Sequence, residues 1–297
     1  MLLQRILTAI VLATLAISAI FLLPSLYFYF FIGIIVLIAA WEWCALSDMH
    51  KISEKILFLS VLVLPMLGVV FWTQILELAS FFLQLPKIKE YSGVIDWLVL
   101  GPVLFWIMMM FIIRSSPDEL LKLELKKRYK VFIGWFVLFS AWMFLTKLKV
   151  YYGADSALYF LLLIWCADIA AFFVGKKWGK DKLAPTISPG KTKQGMHGAI
   201  GAAVVCSIIL AFYHGFTFMI AIDFGLLSII TVLISIYGDL FFSLVKRKNG
   251  VKDSGTILPG HGGVLDRIDS IIAAAPFFFM GTHFLIPALF GENVLFL

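Results

Sequence analysis

The sequence predicts an all-α, polytopic membrane protein with about nine transmembrane helices. Of its 297 residues, 62% are hydrophobic and only 14% are charged, whereas a soluble globular protein needs far more polar surface. The apolar stretches are continuous and do not alternate with polar residues. This pattern favours spanning helices over the strands of a membrane β-barrel.

Nine apolar windows, each close to the length of about 20 residues that a bilayer requires, follow one another along the chain. The first, 6–23, could pass for a signal peptide, but no small-residue cleavage site follows it, so we interpret it as a retained span. The apolar segment 74–84 is too short to cross a bilayer and is expected to lie at the interface. The remaining predicted spans are 26–46, 56–73, 95–113, 131–147, 156–175, 197–213, 217–244 and 269–289.

The distribution of Lys and Arg predicts a cytoplasmic N-terminus. With nine alternating spans, 20 of the 24 Lys and Arg residues fall on the side of the N-terminus and 4 on the other side. Cytoplasmic loops carry such an excess, so the net charge of +6 reports topology and not a nucleic-acid partner. We divide the chain into anchoring and packing helices, 1–130, and a catalytic transmembrane region, 131–297, with cytoplasmic loops at 176–196 and 245–268.

We single out three of the acidic residues that lie within predicted spans, where a charge is costly and usually functional. They are Glu42, Asp168 and Asp239. On a straight helix that rises 1.5 Å per residue, Asp168 and Asp239 each lie about 10 Å below the cytoplasmic end of their spans. The two acids therefore share one depth beneath the two basic loops.

A further pair of acids, Asp266 and Asp269, opens the ninth span on one helix face. Together with Asp168 and Asp239 they can converge just below the cytoplasmic surface. Four such carboxylates need bound cations, salt bridges or protonation, and hard cations such as Mg²⁺ bind carboxylate and phosphate oxygens together. The alternatives are an ion-pair network that only locks helices and the buried acids of a proton- or cation-coupled transporter.

The two basic loops indicate phosphate binding. GKKWGKDKLAPTISPGKTKQG, from Gly175 to Gly195, holds six Lys, and SLVKRKNGVKDSGTILPGHGGVLDRIDS, from Ser243 to Ser270, holds five Lys or Arg among several Gly. Glycine lets backbone N–H groups approach a phosphate, while Lys, Arg, Ser and Thr bind its oxygens. Attraction to anionic lipid would explain the charge but not the glycines. Above a carboxylate cluster, these loops predict metal-assisted phosphoryl or nucleotidyl transfer to a lipid.

The second loop resembles the signature of the phosphatidate cytidylyltransferases, also called CDP-diglyceride synthases. Asp168-Ile-Ala-Ala-Phe and the stretch 175–192 look like a second block of that family, and WEW at 41–43 is similar too. Gln194 departs from the acidic residue that many members carry. The matching pattern is Ser243-x-x-Lys246-Arg247, Lys252-Asp253-x-Gly255, Leu258-Pro259-x-His261-Gly262-Gly263 and Asp266-Arg267-Ile268-Asp269.

The resemblance implies that CTP and phosphatidic acid give CDP-diacylglycerol and pyrophosphate, a step of phospholipid biosynthesis. It implies a homodimer that is embedded in the inner (cytoplasmic) membrane and contacts its lipids. The active site is expected to face the cytoplasm. It also implies Mg²⁺; we expect two cations and leave the second open between a divalent and a monovalent ion. The nearest alternatives are a CTP-dependent lipid kinase and a cytidylyltransferase for another lipid phosphate.

Within that reaction, a phosphatidate oxygen attacks the α-phosphorus of CTP in line, and the candidate residues take three roles. For His261, the sequence leaves a direct role in the reaction and a hydrogen bond to the backbone equally open. The predicted metal ligands are Asp168, Asp239, Asp266 and Asp269. The predicted catalytic residues are Asp239, Asp266, Asp269, Lys252, Arg267 and His261. The predicted substrate-binding residues are Ser188, Lys191, Thr192, Lys246, Arg247, Gly262 and Gly263.

Overall fold

The computed structural model describes residues 2–84, 86–258, 260 and 262–285, and these are almost entirely helical. The prediction of an all-α membrane protein is therefore confirmed. In chain order the elements are α1 (Leu2–Leu22), α2 (Ser25–Leu46), α3 (Ile52–Val70), α4 (Trp72–Leu83), a 3₁₀ segment (Pro86–Val99), α5 (Leu100–Ser115), α6 (Pro117–Lys122), α7 (Lys127–Trp178), β1 (Lys182–Ala184), β2 (Ser188–Thr192), α8 (Lys193–His214), α9 (Phe218–Lys248), α10 (Leu265–Met280) and a π-helical turn (Gly281–Leu285).

Six helical stretches in the described part of the chain are long and apolar enough to cross a membrane. One of them, α7, is interrupted at Gly153, whose φ of 79° breaks the helical backbone. Each half of α7 has about 25 residues, or about 38 Å, so the two halves accommodate the predicted spans 131–147 and 156–175. The six stretches are Ser25–Leu46, Ile52–Val70, Tyr91–Ser115, Lys127–Trp178, Lys193–His214 and Phe218–Lys248.

The first and last predicted spans fall on shorter helices. Span 6–23 coincides with α1, whose apolar part Leu7–Leu22 is shorter than the six long stretches. Span 269–289 coincides with α10 and the π-helical turn, and its last residues, 286–289, lie outside the described residues. The segment 74–84, expected at the interface, forms most of α4. The count of nine spans and the cytoplasmic N-terminus stay predictions.

Helix α10 occupies the centre of the bundle. Nearly every residue from Asp269 to Phe279 is buried, and the helix packs against α2, α7 and α9. A helix that is buried all round belongs to the interior of a bundle. The acids at the start of α10 are therefore held where several helices meet.

Helices α9 and α10 approach closely at Gly238. A Cβ atom added there would overlap the Cβ of Ala273 and lie 3.3 Å from the main-chain oxygen of Asp269. The missing side chain thus lets the two backbones pack directly, as small residues do in membrane helices. The next residue, Asp239, is thereby placed beside the start of α10.

We expect Gly238→Ala to destabilise the protein by about 1–3 kcal/mol, because an added methyl group must push two tightly packed backbones apart. Thermal unfolding in detergent measures this change. Gly201→Ala on α8 is the matched control, because open space surrounds that position. Equal unfolding temperatures for the two variants would contradict the close-packing argument.

The loop between α7 and α8 contains a small antiparallel hairpin that the sequence analysis did not predict. Strand β1 pairs with β2, with Lys182 opposite Thr192. Gln194 fastens the hairpin: its Oε1 accepts the N–H groups of Lys180 and Asp181 at 3.1 and 3.2 Å, and its Nε2 donates to the Asp181 carboxylate at 2.8 Å. This residue therefore holds the loop that carries Lys191.

A second buried ionic network lies far along the helices from the basic loops. Asp96, in the 3₁₀ segment, forms an ion pair with Lys147 of α7, and only 3% and 2% of these residues are exposed. His283 Nε2 lies 3.6 Å from the other Asp96 oxygen, and its Nδ1 lies 2.5 Å from the Tyr152 hydroxyl. The network ties the 3₁₀ segment and the π-helical turn to α7. Each acid and base in it has a partner, which is typical of a helix lock.

Candidate active site

Asp239 is linked to the first basic loop by Lys191. Lys191 extends from β2 so that its Nζ lies 2.6 Å from Asp239 Oδ2 and donates to the Ile236 carbonyl at 3.3 Å. Ser243, one turn further along α9, donates to Asp239 Oδ1 at 3.2 Å. Lys191, a predicted substrate-binding residue, therefore forms an ion pair with Asp239, a predicted metal ligand.

Asp266 is held by three donors from the second basic loop and α9. Lys246 Nζ lies 2.6 Å from its Oδ1, and the N–H groups of Ser254 and Gly263 donate to its Oδ2 at 2.8 and 3.0 Å. Charge-assisted hydrogen bonds of this kind are stronger than neutral ones. Asp266 thus fixes the middle and the C-terminal end of the loop relative to α10.

Asp269 and Asp168 complete the acidic cluster. Asp269 is buried, accepts the N–H of Ser270 at 2.8 Å and interacts electrostatically with Asp239. Asp168, on the second half of α7, is exposed and interacts electrostatically with Lys191, Asp239 and Arg267. The four acids that the sequence analysis singled out therefore lie in one region, where α7, α9 and α10 meet the two loops.

The four acids interact with three bases, Lys191, Lys246 and Arg267, so one negative charge is in excess when all are ionised. Asp239 and Asp269 offer the carboxylate oxygens that a hard cation prefers, and Mg²⁺ often takes one or two carboxylates and completes its shell with phosphate and water. In the described part of the chain, no three His, Cys, Asp or Glu residues are arranged to hold a metal by themselves. The carboxylate oxygens of Asp239 and Asp269 therefore fit a cation that is shared with a substrate phosphate. Asp266 fits less well, because its oxygens already accept three bonds.

Several of the predicted phosphate ligands are exposed on the second loop and the helix ends that flank it. Lys252 and Arg267 are both exposed, and neither forms a direct ion pair with a described residue. Arg247 is exposed too, but its guanidinium donates to the carbonyls of Ile187 at 3.4 Å and Val251 at 3.3 Å. Arg247 therefore joins the two loops, whereas Lys252 and Arg267 are available to an anion.

Thr192 has a local structural task. Its buried hydroxyl accepts the N–H of Gly195 at 3.0 Å and so caps the N-terminus of α8. Gly175 and Gly179 pack against it; a Cβ at Gly175 would lie 2.9 Å from the Thr192 hydroxyl oxygen. Ser188 lies partly exposed at the start of β2. Substrate binding by Thr192 and Ser188 stays a prediction.

The glycines of the second loop meet specific steric demands. Gly262 has a φ of 82°, which favours glycine, and its carbonyl accepts the N–H of Leu258 at 2.9 Å. The N–H of Gly263 is engaged by Asp266. The prediction that Gly262 and Gly263 wrap a triphosphate stays open, and His261 lies outside the described residues.

Glu42 is the site residue that the sequence analysis noticed but did not assign. It is 4% exposed, and its carboxylate accepts the Ser254 hydroxyl at 2.8 Å and the N–H groups of Val264 and Leu265 at 3.0 and 2.9 Å. A Cβ at Gly255 or Gly263 would overlap its oxygens. These glycines therefore make room for a carboxylate from α2.

This architecture defines a polytopic helical membrane protein with a cluster of acids and bases at the junction of three helices and two basic loops. Comparison with known proteins then shows that the chain belongs to the cytidylyltransferase family, whose model matches residues 3–285.

Three curated relatives of this chain are phosphatidate cytidylyltransferases. The one from Haemophilus influenzae is 32% identical over 288 residues, which cover 94% of this chain and 97% of the relative. The one from Pseudomonas aeruginosa is 34% identical over 280 residues, covering 94% and 96%. The one from Bacillus subtilis is 44% identical over 131 residues, covering 43% and 47%. The similarity to the first two extends over nearly the whole length of both chains.

Proposed function

We propose that this protein transfers CMP from CTP to phosphatidic acid, giving CDP-diacylglycerol and pyrophosphate for phospholipid biosynthesis. The observation that carries the proposal is the convergence of Asp168, Asp239 and Asp269 with the exposed Arg267 at one end of the bundle. Relatives that are similar over nearly the whole chain bear the name of this activity. A transporter would need the buried acids but not an exposed guanidinium beside them.

The reaction does not require the protein to supply a nucleophile or a strong base. The phosphate monoester of phosphatidate is itself an anionic nucleophile, so its oxygen attacks the α-phosphorus of CTP in line and pyrophosphate leaves. The protein must bring two anions together and stabilise the charge on the transferred group. Lys252 and Arg267 are placed to neutralise these phosphates, and Lys191 can exchange the Asp239 carboxylate for a phosphate oxygen.

Asp239 and Asp269 would hold a cation in this proposal. Bound Mg²⁺ would supply positive charge that lowers the repulsion between the two substrates. Asp168 would help to balance its charge. A second cation, divalent or monovalent, would serve the leaving pyrophosphate.

The depth of the cluster suits substrates from two phases. Asp239 lies seven residues before Lys246, or about 10 Å along α9, so the acids lie just beneath the basic loops. We place the loops on the cytoplasmic side of the inner membrane, where CTP is dissolved and phosphatidate lies in the leaflet. A homodimer, which the family resemblance implies, stays a prediction.

One assay with two labels tests the function. Purified protein in detergent micelles receives phosphatidate, diacylglycerol, Mg²⁺ and CTP labelled at either the α- or the γ-phosphate. We expect the α-label in the lipid fraction, release of pyrophosphate, and loss of turnover when EDTA removes Mg²⁺. Transfer of the γ-label would show a CTP-dependent kinase and overturn the proposal. Folded protein that transfers neither label would favour a transporter.

A further inference from the structure

An apolar cleft lies directly beneath the charged cluster. It has a volume of about 130 Å³, and every lining side chain is hydrophobic. Its walls come from α1, α2, both halves of α7 and α10. The lining includes Ala16, Phe28, Ala157, Phe160, Ile268 and Ile271. A cavity of roughly this size with an aliphatic and aromatic lining stays dry and accepts hydrocarbon ligands.

The cleft adjoins the candidate active site along α10 and α7. On α10, Ile268 lies between Arg267 and Asp269 in sequence, and Ile271 lies one helical turn below Arg267. On α7, Leu161 lines the cleft two turns below Asp168 on the same helix face. Two exposed charged residues that interact with each other, Asp168 and Arg267, therefore stand above the apolar walls.

We propose that this cleft binds one acyl chain of the phosphatidate substrate while Arg267 binds its phosphate. The inference rests on the proposed function and adds the place where the lipid binds. Each turn of a partner helix, about 10–12 Å across, needs several times the cleft volume of about 130 Å³, whereas a segment of a single hydrocarbon chain fits that volume. An apolar cleft with a cation at its mouth matches the two ends of a phosphatidate molecule.

Filling the cleft provides the test. Ala16 lines it from α1, far from the acids, and Ala16→Phe should block the chain without touching the charged cluster. We expect the KM for long-chain phosphatidate to rise about tenfold, equivalent to about 1.4 kcal/mol. The KM for short-chain phosphatidate and for CTP should stay unchanged. Ala9→Phe is the matched control, because Ala9 is exposed on the same helix and does not line the cleft.

An unchanged chain-length preference in folded Ala16→Phe would overturn the acyl-chain assignment while leaving the proposed function intact. Failure of the wild type to transfer label would instead contradict the function itself. The assay thus separates the two.

Photolabelling of the wild-type protein gives an independent readout that needs no variant. Phosphatidate with a diazirine in its acyl chain should label peptides of α1 and α10, and unlabelled phosphatidate should protect them. Equal protection by phosphatidylcholine would mean that the cleft holds bulk lipid and would overturn the proposal. Labelling confined to other helices would overturn it too.

Discussion

Asp269→Asn is expected to reduce kcat by about 10³-fold and to leave the folded protein at least as stable as the wild type. Removing one preorganised charged or polar group from an active site commonly costs 10²–10³-fold in kcat. A substitution of a buried polar residue usually lowers the stability of the folded protein, whereas we expect no such loss here. The two results together would identify Asp269 as a residue kept for function.

The reason lies in the charges around Asp269. Its carboxylate is buried beside Asp239, and these two acids repel each other while Lys191 and Lys246 also form ion pairs with Asp239 and Asp266. Asparagine keeps the shape and the acceptor for the Ser270 N–H but removes one negative charge. Because the repulsion falls, the folded protein should be no less stable than the wild type. Because a cation shared with phosphate would lose a ligand, kcat should fall.

Two control variants make this test specific. Asp223→Asn changes an acid on α9 that lies sixteen residues before Asp239, at the other end of the helix, and should leave activity unchanged. Asp96→Asn breaks a fully paired buried salt bridge, and we expect it to lower the unfolding temperature but not kcat per folded molecule. Steady-state kinetics and thermal unfolding in detergent measure both quantities. A folded Asp269→Asn protein with near wild-type kcat would remove Asp269 from the catalytic machinery.

The features that local sequence pattern determines were predicted well. Apolar runs of about twenty residues identified most of the helices, and the scarcity of charge made Glu42, Asp168 and Asp239 conspicuous. The rise per residue then placed Asp168 and Asp239 at one depth, and the structure brings both into the same cluster. Each of these inferences depends on residues that are near in sequence or on helix geometry.

The features that depend on distant contacts were not predicted. Glu42 contacts residues more than two hundred positions away, so no local pattern reveals its partners. Asp96 and Lys147 lie at the ends of the predicted spans 95–113 and 131–147, yet they form a buried pair across helices. The sequence pattern predicts that the glycines of the second loop bind phosphate through their backbone N–H groups. Two of them, Gly255 and Gly263, leave space for the Glu42 side chain. Such roles emerge only when helix packing is known.

Glu42→Gln is the second variant from which we expect a large effect, a fall of about 10²-fold in kcat/KM. The carboxylate accepts three hydrogen bonds, two of them from the first free N–H groups at the start of α10, a site that favours negative charge. Glutamine has one oxygen acceptor, and its amide nitrogen cannot accept. At least one buried N–H or hydroxyl would therefore lose its partner, which is costly.

The loss would reach the acids and Arg267 through the backbone. Glu42 holds Ser254 at the middle of the second loop and Leu265 at the start of α10, so it sets the position of Asp266, Arg267 and Asp269 without touching substrate. A shift of about 1 Å in an active site can cost 10²-fold in rate. We therefore assign Glu42 as a positioning residue, in a helix from the region that the sequence analysis assigned to anchoring and packing.

A structural readout distinguishes positioning from direct catalysis. In Glu42→Gln, trypsin should cut the loop after Arg247, Lys248 or Lys252 faster than in the wild type, because the loop has lost its anchor on α2. Glu54→Gln is the matched control: it removes an exposed ion pair with Lys127 at 2.8 Å and should change neither activity nor proteolysis. If Glu42→Gln lost activity while the loop stayed as protected as in the wild type, Glu42 would act on the reaction directly, and the anchoring role would be wrong.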